Sequence, residues 1–136
     1  MQRRSFVKAL GLAPLAASAR AEPKPASGGF DELAASGAAC ATAAQDFLRF
    51  ALTRLAARDP QLADCAAAAA DAAAACDALT GLAGAETPFA FGFARTVGDV
   101  CLAAKTEAEK FPQIARCVAL AQTSGACAAA CRKAAG

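Results

Sequence analysis

The sequence has no histidine, no tryptophan and no tyrosine, and its single methionine is the initiator. Without His or Tyr, the usual acid–base partners of catalysis are missing. A reactive cysteine is the one catalytic option left, and the chain does not read as an enzyme. The same absences leave cysteine thiolates as the only soft ligands for a metal. Basic charge is thin as well. Four of the 14 basic residues, Arg3, Arg4, Lys8 and Arg20, stand in the first 21 positions, and the rest of the chain holds 10 basic against 12 acidic residues, a net of −2. No basic patch remains for nucleic acid. No apolar run approaches the ~20 residues of a membrane span, so none is expected.

What the sequence has in quantity is alanine and cysteine. Hydrophobic residues make up 57% of its 136 positions, and alanine dominates them. Alanine is the best helix former and a poor strand former. The composition predicts one all-α domain with closely spaced helices. Seven cysteines, all beyond residue 21, are the chemically distinctive feature.

Residues 1–21 read as an export signal. Arg3-Arg4-Ser5-Phe6-Val7-Lys8 matches the twin-arginine pattern of paired arginines before an aromatic residue and a lysine. A mildly apolar stretch follows, and Ala19-Arg20-Ala21 supplies a small-x-small cleavage site. The expected partner is the twin-arginine export machinery, which moves proteins already folded, and the expected location is the periplasm or another exported compartment. Residues 22–29, rich in Pro, Gly and Ser, read as a flexible lead-in.

From residue 30 onward, four amphipathic helices are predicted. The first runs to about Arg58, with Leu33, Gly37, Cys40, Ala44, Phe47, Ala51 and Leu55 on one face. Asp59-Pro60 then supplies a cap and a first-turn proline. The second helix ends near Leu79, before Gly81 and Gly84, and carries Leu62, Cys65, Ala69, Ala72, Cys76 and Leu79. Thr87-Pro88 repeats the device and opens the third, with Phe89, Phe93, Val97, Cys101, Ala104 and Ala108 inward. Gly92 and Gly98 weaken that helix by about 1 kcal/mol each relative to alanine. The fourth runs from about Pro112 to Ala134, Gly125 interrupting it, with Arg132 and Lys133 suited to its negative end. Short connections make an antiparallel up-down-up-down bundle the simplest arrangement.

Each helix thus places cysteine on its inward stripe: Cys40; Cys65 and Cys76; Cys101; Cys117, Cys127 and Cys131. The last stripe, Cys117, Leu120, Ser124, Cys127 and Cys131, has steps of three and four throughout, so all five face one partner. Cβ atoms one helical turn apart stand roughly 5–6 Å from each other, wider than the 3.5–4.5 Å a disulfide wants. The Cys127–Cys131 pair therefore suits one shared soft ion better than a bridge, and it is the expected first metal site. Cys117, almost three turns away, must look to Cys65, Cys76 or Cys101 on other helices, and Cys40 needs a partner across the bundle. A four-ligand zinc site is harder to assemble from thiols spaced singly down a bundle, whereas Cu(I) accepts two or three sulfurs.

The stripe Cys117-x2-Leu120-x3-Ser124-x2-Cys127-x3-Cys131 resembles the last helix of the bacterial four-helix-bundle copper storage proteins, where those five positions are typically all cysteine. Cys65, Ala69, Ala72 and Cys76 resemble a second family helix with its two middle cysteines turned to alanine. The resemblance covers about residues 30–134 and implies storage of Cu(I) by core thiolates, with all seven cysteines as ligands and exported members that use twin-arginine signals. Leu120, Ser124, Ala69, Ala72, Ala104 and Ala108 stand where thiols would be expected, and the accessory His and Met residues are missing. A different reading stays open. Inward cysteines in an oxidising compartment can form cross-helix disulfides, giving a stapled or metal-free bundle with a structural or binding role.

Overall fold

The computed structural model describes residues 28–136. The expected export signal and residues 22–27 of the expected lead-in lie outside the described residues. Four α-helices follow one another: α1 (Gly28–Ala56), α2 (Ala63–Gly84), α3 (Phe89–Glu109) and α4 (Ala115–Ala135). Among the described residues there is no strand. α1 packs most extensively on α2, and α3 on α4, while α2–α3 and α1–α4 contacts close the ring. Neighbours run antiparallel. Glu32 near the start of α1 pairs with Lys133 near the end of α4 at 2.9 Å, and Asp46 farther along α1 pairs with Arg116 near the start of α4 at 3.6 Å.

The first junction forms as its residues dictate. Asp59 accepts a hydrogen bond from the Gln61 backbone N–H at 3.1 Å and an ion pair from Arg54 at 2.9 Å. Both hold its carboxyl below the usual carboxylate range, the backbone N–H most strongly. Pro60–Leu62 is a short 3-10 turn that leads into α2. The expected Thr87 cap does not form. Its hydroxyl is buried without a hydrogen-bond partner, and the Thr87 carbonyl accepts from the Ala90 N–H instead. α2 also runs through Gly81 to Gly84, beyond the expected stop at Leu79. Both glycines face open space, and the helix ends where Glu86 adopts a left-handed φ of 53°.

The stripes of α1, α2 and α4 are buried as their spacing predicts, apart from half-buried Leu55. α3 differs. Phe89 is 75% exposed and Phe93 is only half-buried, while Ala90 and Ala94 take the core positions. The reason is close packing: Gly98 lies so near α4 that a Cβ there would meet the Cys131 Cβ at 3.3 Å. Alanine fits a gap that narrow and phenylalanine does not. Gly125 has a similar explanation, because the Lys105 stem crosses it at 3.4 Å from where a Cβ would sit. Gly92 has open space around it, and nothing in the structure explains it.

By length and composition alone the segment Pro60–Gly84 passes as a membrane span, a test that the core helix of a bundle also passes. Its apolarity is mostly alanine, and Cys65, Ala69, Ala72, Cys76 and Leu79 are buried in the bundle.

Candidate metal centre

The core divides along its axis into two clusters. One contains Phe47, Leu62 and Leu120 together with Cys65 and Cys117. The other contains Leu33, Leu79 and Val97 with Cys40, Cys76, Cys101, Cys127 and Cys131. All seven cysteines are buried, and all are free thiols.

Four of them meet in one place. The sulfurs of Cys40, Cys76, Cys101 and Cys127, one from each helix, lie within 4.8 Å of one another. Cys76 and Cys101 approach to 3.5 Å, Cys40 and Cys101 to 3.9 Å, and Cys76 and Cys127 to 3.9 Å. The last two contacts run across the diagonals of the bundle. A flat square with such diagonals would have edges far shorter than the 3.5 Å between Cys76 and Cys101. The sulfurs therefore pucker out of a common plane toward a tetrahedron.

The register that builds this quartet repeats between the two helical hairpins. Gly37 stands three residues before Cys40, and Gly98 three before Cys101. A Cβ on Gly37 would meet the Thr80 hydroxyl at 2.6 Å and the Cys76 carbonyl at 3.2 Å. Thr80 is four residues past Cys76, as Cys131, the neighbour of Gly98, is four past Cys127. In each hairpin a glycine lets the helices close at the level where their thiols must converge.

Ser124 is the one polar residue buried as a whole among the described residues, and its hydroxyl lies 3.7 Å from the Cys40 sulfur. Hydrogen bonds from Cys101, then Cys127 and Cys76, with Ser124 adding to them, hold the Cys40 thiol far below its ordinary range. Contacts with Cys127, Cys40 and Cys76 push Cys101 far up. The Cys40 sulfur is thus placed to accept from its neighbours. Cys131 lies outside the quartet but touches Cys127, which together with burial raises its pKa. The expected Cys127–Cys131 site is thus divided: Cys127 joins three thiols from other helices, and Cys131 flanks them.

Cys65 and Cys117 form a separate pair, one of the options open to Cys117 by spacing. Burial, followed by the charge and hydrogen bond of Cys117 and the charge of Glu107, pushes the Cys65 thiol up to about 12, with Lys110 opposing. Burial also raises Cys117. A thiol that keeps its proton when folded but ionises when unfolded favours the unfolded chain once pH passes its unfolded value of about 9. The stabilisation is complete below that pH and disappears as pH rises toward 12. The metal-free, reduced protein should lose about 1.4 kcal/mol per pH unit for each such thiol. Lys110, kept protonated chiefly by its hydrogen bonds to Glu107, acts with the same sign, so Cys65→Ala is the control. Thermal melts between pH 8 and 11 should show a shallower decline in that variant, and equal slopes would contradict the assignment.

Thr80 and Gly98 carry no sequence signal that makes them parts of the site, whereas the spacing of Gly37 puts it on the inward face. The quartet itself had a signal. Cys76 and Cys101 each stand eight residues before the last residue of their helix, and Cys101 and Cys127 each twelve past the first. Cys76 and Cys101 thus flank the α2–α3 connection at eight and twelve residues, and Cys101 and Cys127 flank the α3–α4 connection at the same two offsets, so the antiparallel register that levels one pair also levels the other.

A closed four-helix ring with its reactive groups turned inward defines a thiol-cored bundle, a class whose chemistry is enclosed by the fold and not held in a surface cleft. Residues 28–136 match the family model described as copper storage protein, and the chain belongs to that family. The family is one of storage and not of catalysis. Comparison with curated proteins finds no match.

Proposed function

We propose that this protein stores or sequesters copper as Cu(I), bound by thiolates of its core, and that it acts as a binder and not as an enzyme. The observation that carries the reading is the buried convergence of Cys40, Cys76, Cys101 and Cys127. Thiolates select soft ions, and Cu(I) is among the softest available to a protein. Charge supports the same choice. No charged side chain is buried among the described residues, so each thiolate formed in the core needs its own positive charge nearby. Monovalent ions loaded one per thiolate, with each sulfur shared between neighbouring ions, leave the core neutral. Cys131 extends the quartet toward one end of the bundle, and Cys65 with Cys117 provides a smaller, separate site, so all seven cysteines serve as ligands.

Anaerobic titration of the reduced protein with Cu(I), against a chromophoric chelator of known affinity, tests this. Several equivalents should be withdrawn from the chelator, with loss of free thiol in step. A folded, fully reduced protein that withdraws none would refute the proposal.

The proposed setting is outside the cytoplasm, reached by the twin-arginine route, on the strength of Arg3-Arg4-Ser5-Phe6-Val7-Lys8. Export of a finished bundle suits this cargo, because its thiols are enclosed before they meet oxidants. Replacing Arg3 and Arg4 by Lys should leave the protein in the cytoplasm on cell fractionation. Undiminished export of that variant would show a different route.

A further inference from the structure

We propose that the quartet of Cys40, Cys76, Cys101 and Cys127 is also a mononuclear site for a thiophilic divalent ion of the zinc class, held in tetrahedral coordination by all four sulfurs. Tetrahedral zinc with sulfur at about 2.3 Å places its ligand sulfurs about 3.8 Å apart. The contacts among these thiols are 3.5, 3.9 and 3.9 Å, and every remaining pair falls within 4.8 Å. The spacing matches before any ion is added, and it does so across both diagonals of the bundle. A two-coordinate ion needs only two sulfurs facing each other. Four sulfurs puckered about one centre and fully buried form a closed tetrahedral cage, the arrangement of zinc sites that keep no open position.

The site is separable from the other thiols. Cys65 and Cys117 belong to the other core cluster, with Ala69, Ala72, Ala104 and Leu120. Cys131 lies outside the group of four. One divalent ion per chain is therefore the expected capacity, whatever the copper number. Binding exchanges four thiol protons for one ion, M2+ + 4 RSH giving [M(SR)4]2− and four H+. The product keeps two negative charges in a core without a buried cation. Cu(I), which balances thiolates one for one, should therefore displace the divalent ion; this last step rests on the copper reading above. The divalent ion then occupies thiols that would otherwise stand free beside one another, until copper replaces it.

Cobalt(II) is the probe, because a tetrahedral tetrathiolate environment gives it intense ligand-field and sulfur-to-cobalt charge-transfer bands. The reduced full chain, titrated anaerobically with Co(II), should develop these bands to an end point of one equivalent, and one equivalent of Zn(II) should bleach them. The bands should persist in the Cys65→Ala/Cys117→Ala double variant and in Cys131→Ala, and should be lost in Cys101→Ala. Cys76→Ala gives a second, independent loss should Cys101→Ala fail to fold, as judged by circular dichroism. Failure of the folded, reduced parent to show the bands would overturn the proposal, as would bands that survive in folded Cys101→Ala. Adding Cu(I) separates the two readings. Copper that binds where cobalt gave no tetrathiolate bands overturns the divalent site and leaves storage standing. Cobalt bands in a protein that takes up no Cu(I) support the divalent site and overturn storage.

Discussion

Cys101→Ala should remove the most tightly held copper from the bundle while leaving its helix content intact. Cys101 lies at the middle of the quartet, 3.5 Å from the Cys76 sulfur and 3.9 Å from that of Cys40. Its loss leaves Cys40 beside Ser124 and strands Cys76 with Cys127. Changes outside the ligand shell alone typically cost a site 10–100-fold in affinity, so loss of a central ligand should weaken the first-bound Cu(I) by at least about tenfold. Alanine already lines this core, at Ala94 and Ala104 for example, so the backbone should tolerate it. Cys131→Ala should act differently, lowering capacity and sparing the first equivalent. Competition with a chelator series measures both variants. Cys101→Ala binding its first copper as tightly as the parent would remove the quartet from the centre of the proposal.

Gly37→Ala should be the most damaging of the glycine replacements. The new methyl would lie 2.6 Å from the Thr80 hydroxyl, which cannot simply turn away because it donates to the Cys76 carbonyl at 2.7 Å. That carbonyl, at 3.2 Å from the methyl, belongs to the helix backbone. Relief requires α1 and α2 to part. Overfilling a packed contact costs about 1–3 kcal/mol, partly offset by the ~1 kcal/mol that alanine gains over glycine in a helix. Separation at this level also pulls Cys40 from Cys76, so copper affinity should fall with stability. Gly92→Ala provides the opposite sign. With nothing within 4 Å of its new methyl, it should gain up to about 1 kcal/mol. Melting temperatures of the two variants should move apart, and a rise in Gly37→Ala like that in Gly92→Ala would show that the close approach does not constrain the helices.

These residues also show where sequence reasoning succeeds and where it stops. Steps of three and four identify the buried faces of α1, α2 and α4 because a helix turns by a fixed angle per residue, whatever surrounds it. α3 misleads because two large side chains, Phe89 and Phe93, outweigh Ala90 and Ala94 on any hydrophobic scale. How wide the gap is depends on the neighbouring helix, and α3 alone does not disclose it. The thiols follow the same division. That each cysteine faces inward is a property of its own helix. That Cys40, Cys76, Cys101 and Cys127 share one level is a property of four helices sliding into register, set by three connections and two glycine contacts. Sequence proximity favours Cys127 with Cys131, and tertiary structure favours Cys127 with three residues at least 26 positions away, the nearest being Cys101.

With one sulfur from each helix, no single helix and neither hairpin holds more than half of the quartet. The site comes into existence only when the two hairpins dock, so an ion that requires all four sulfurs recognises the completed chain and ignores its fragments. Such selective binding adds to folding stability by mass action, about 2.7 kcal/mol when free ion stands at a hundred times its dissociation constant. Metal occupancy would then serve as a certificate of assembly, issued only to molecules whose halves have closed.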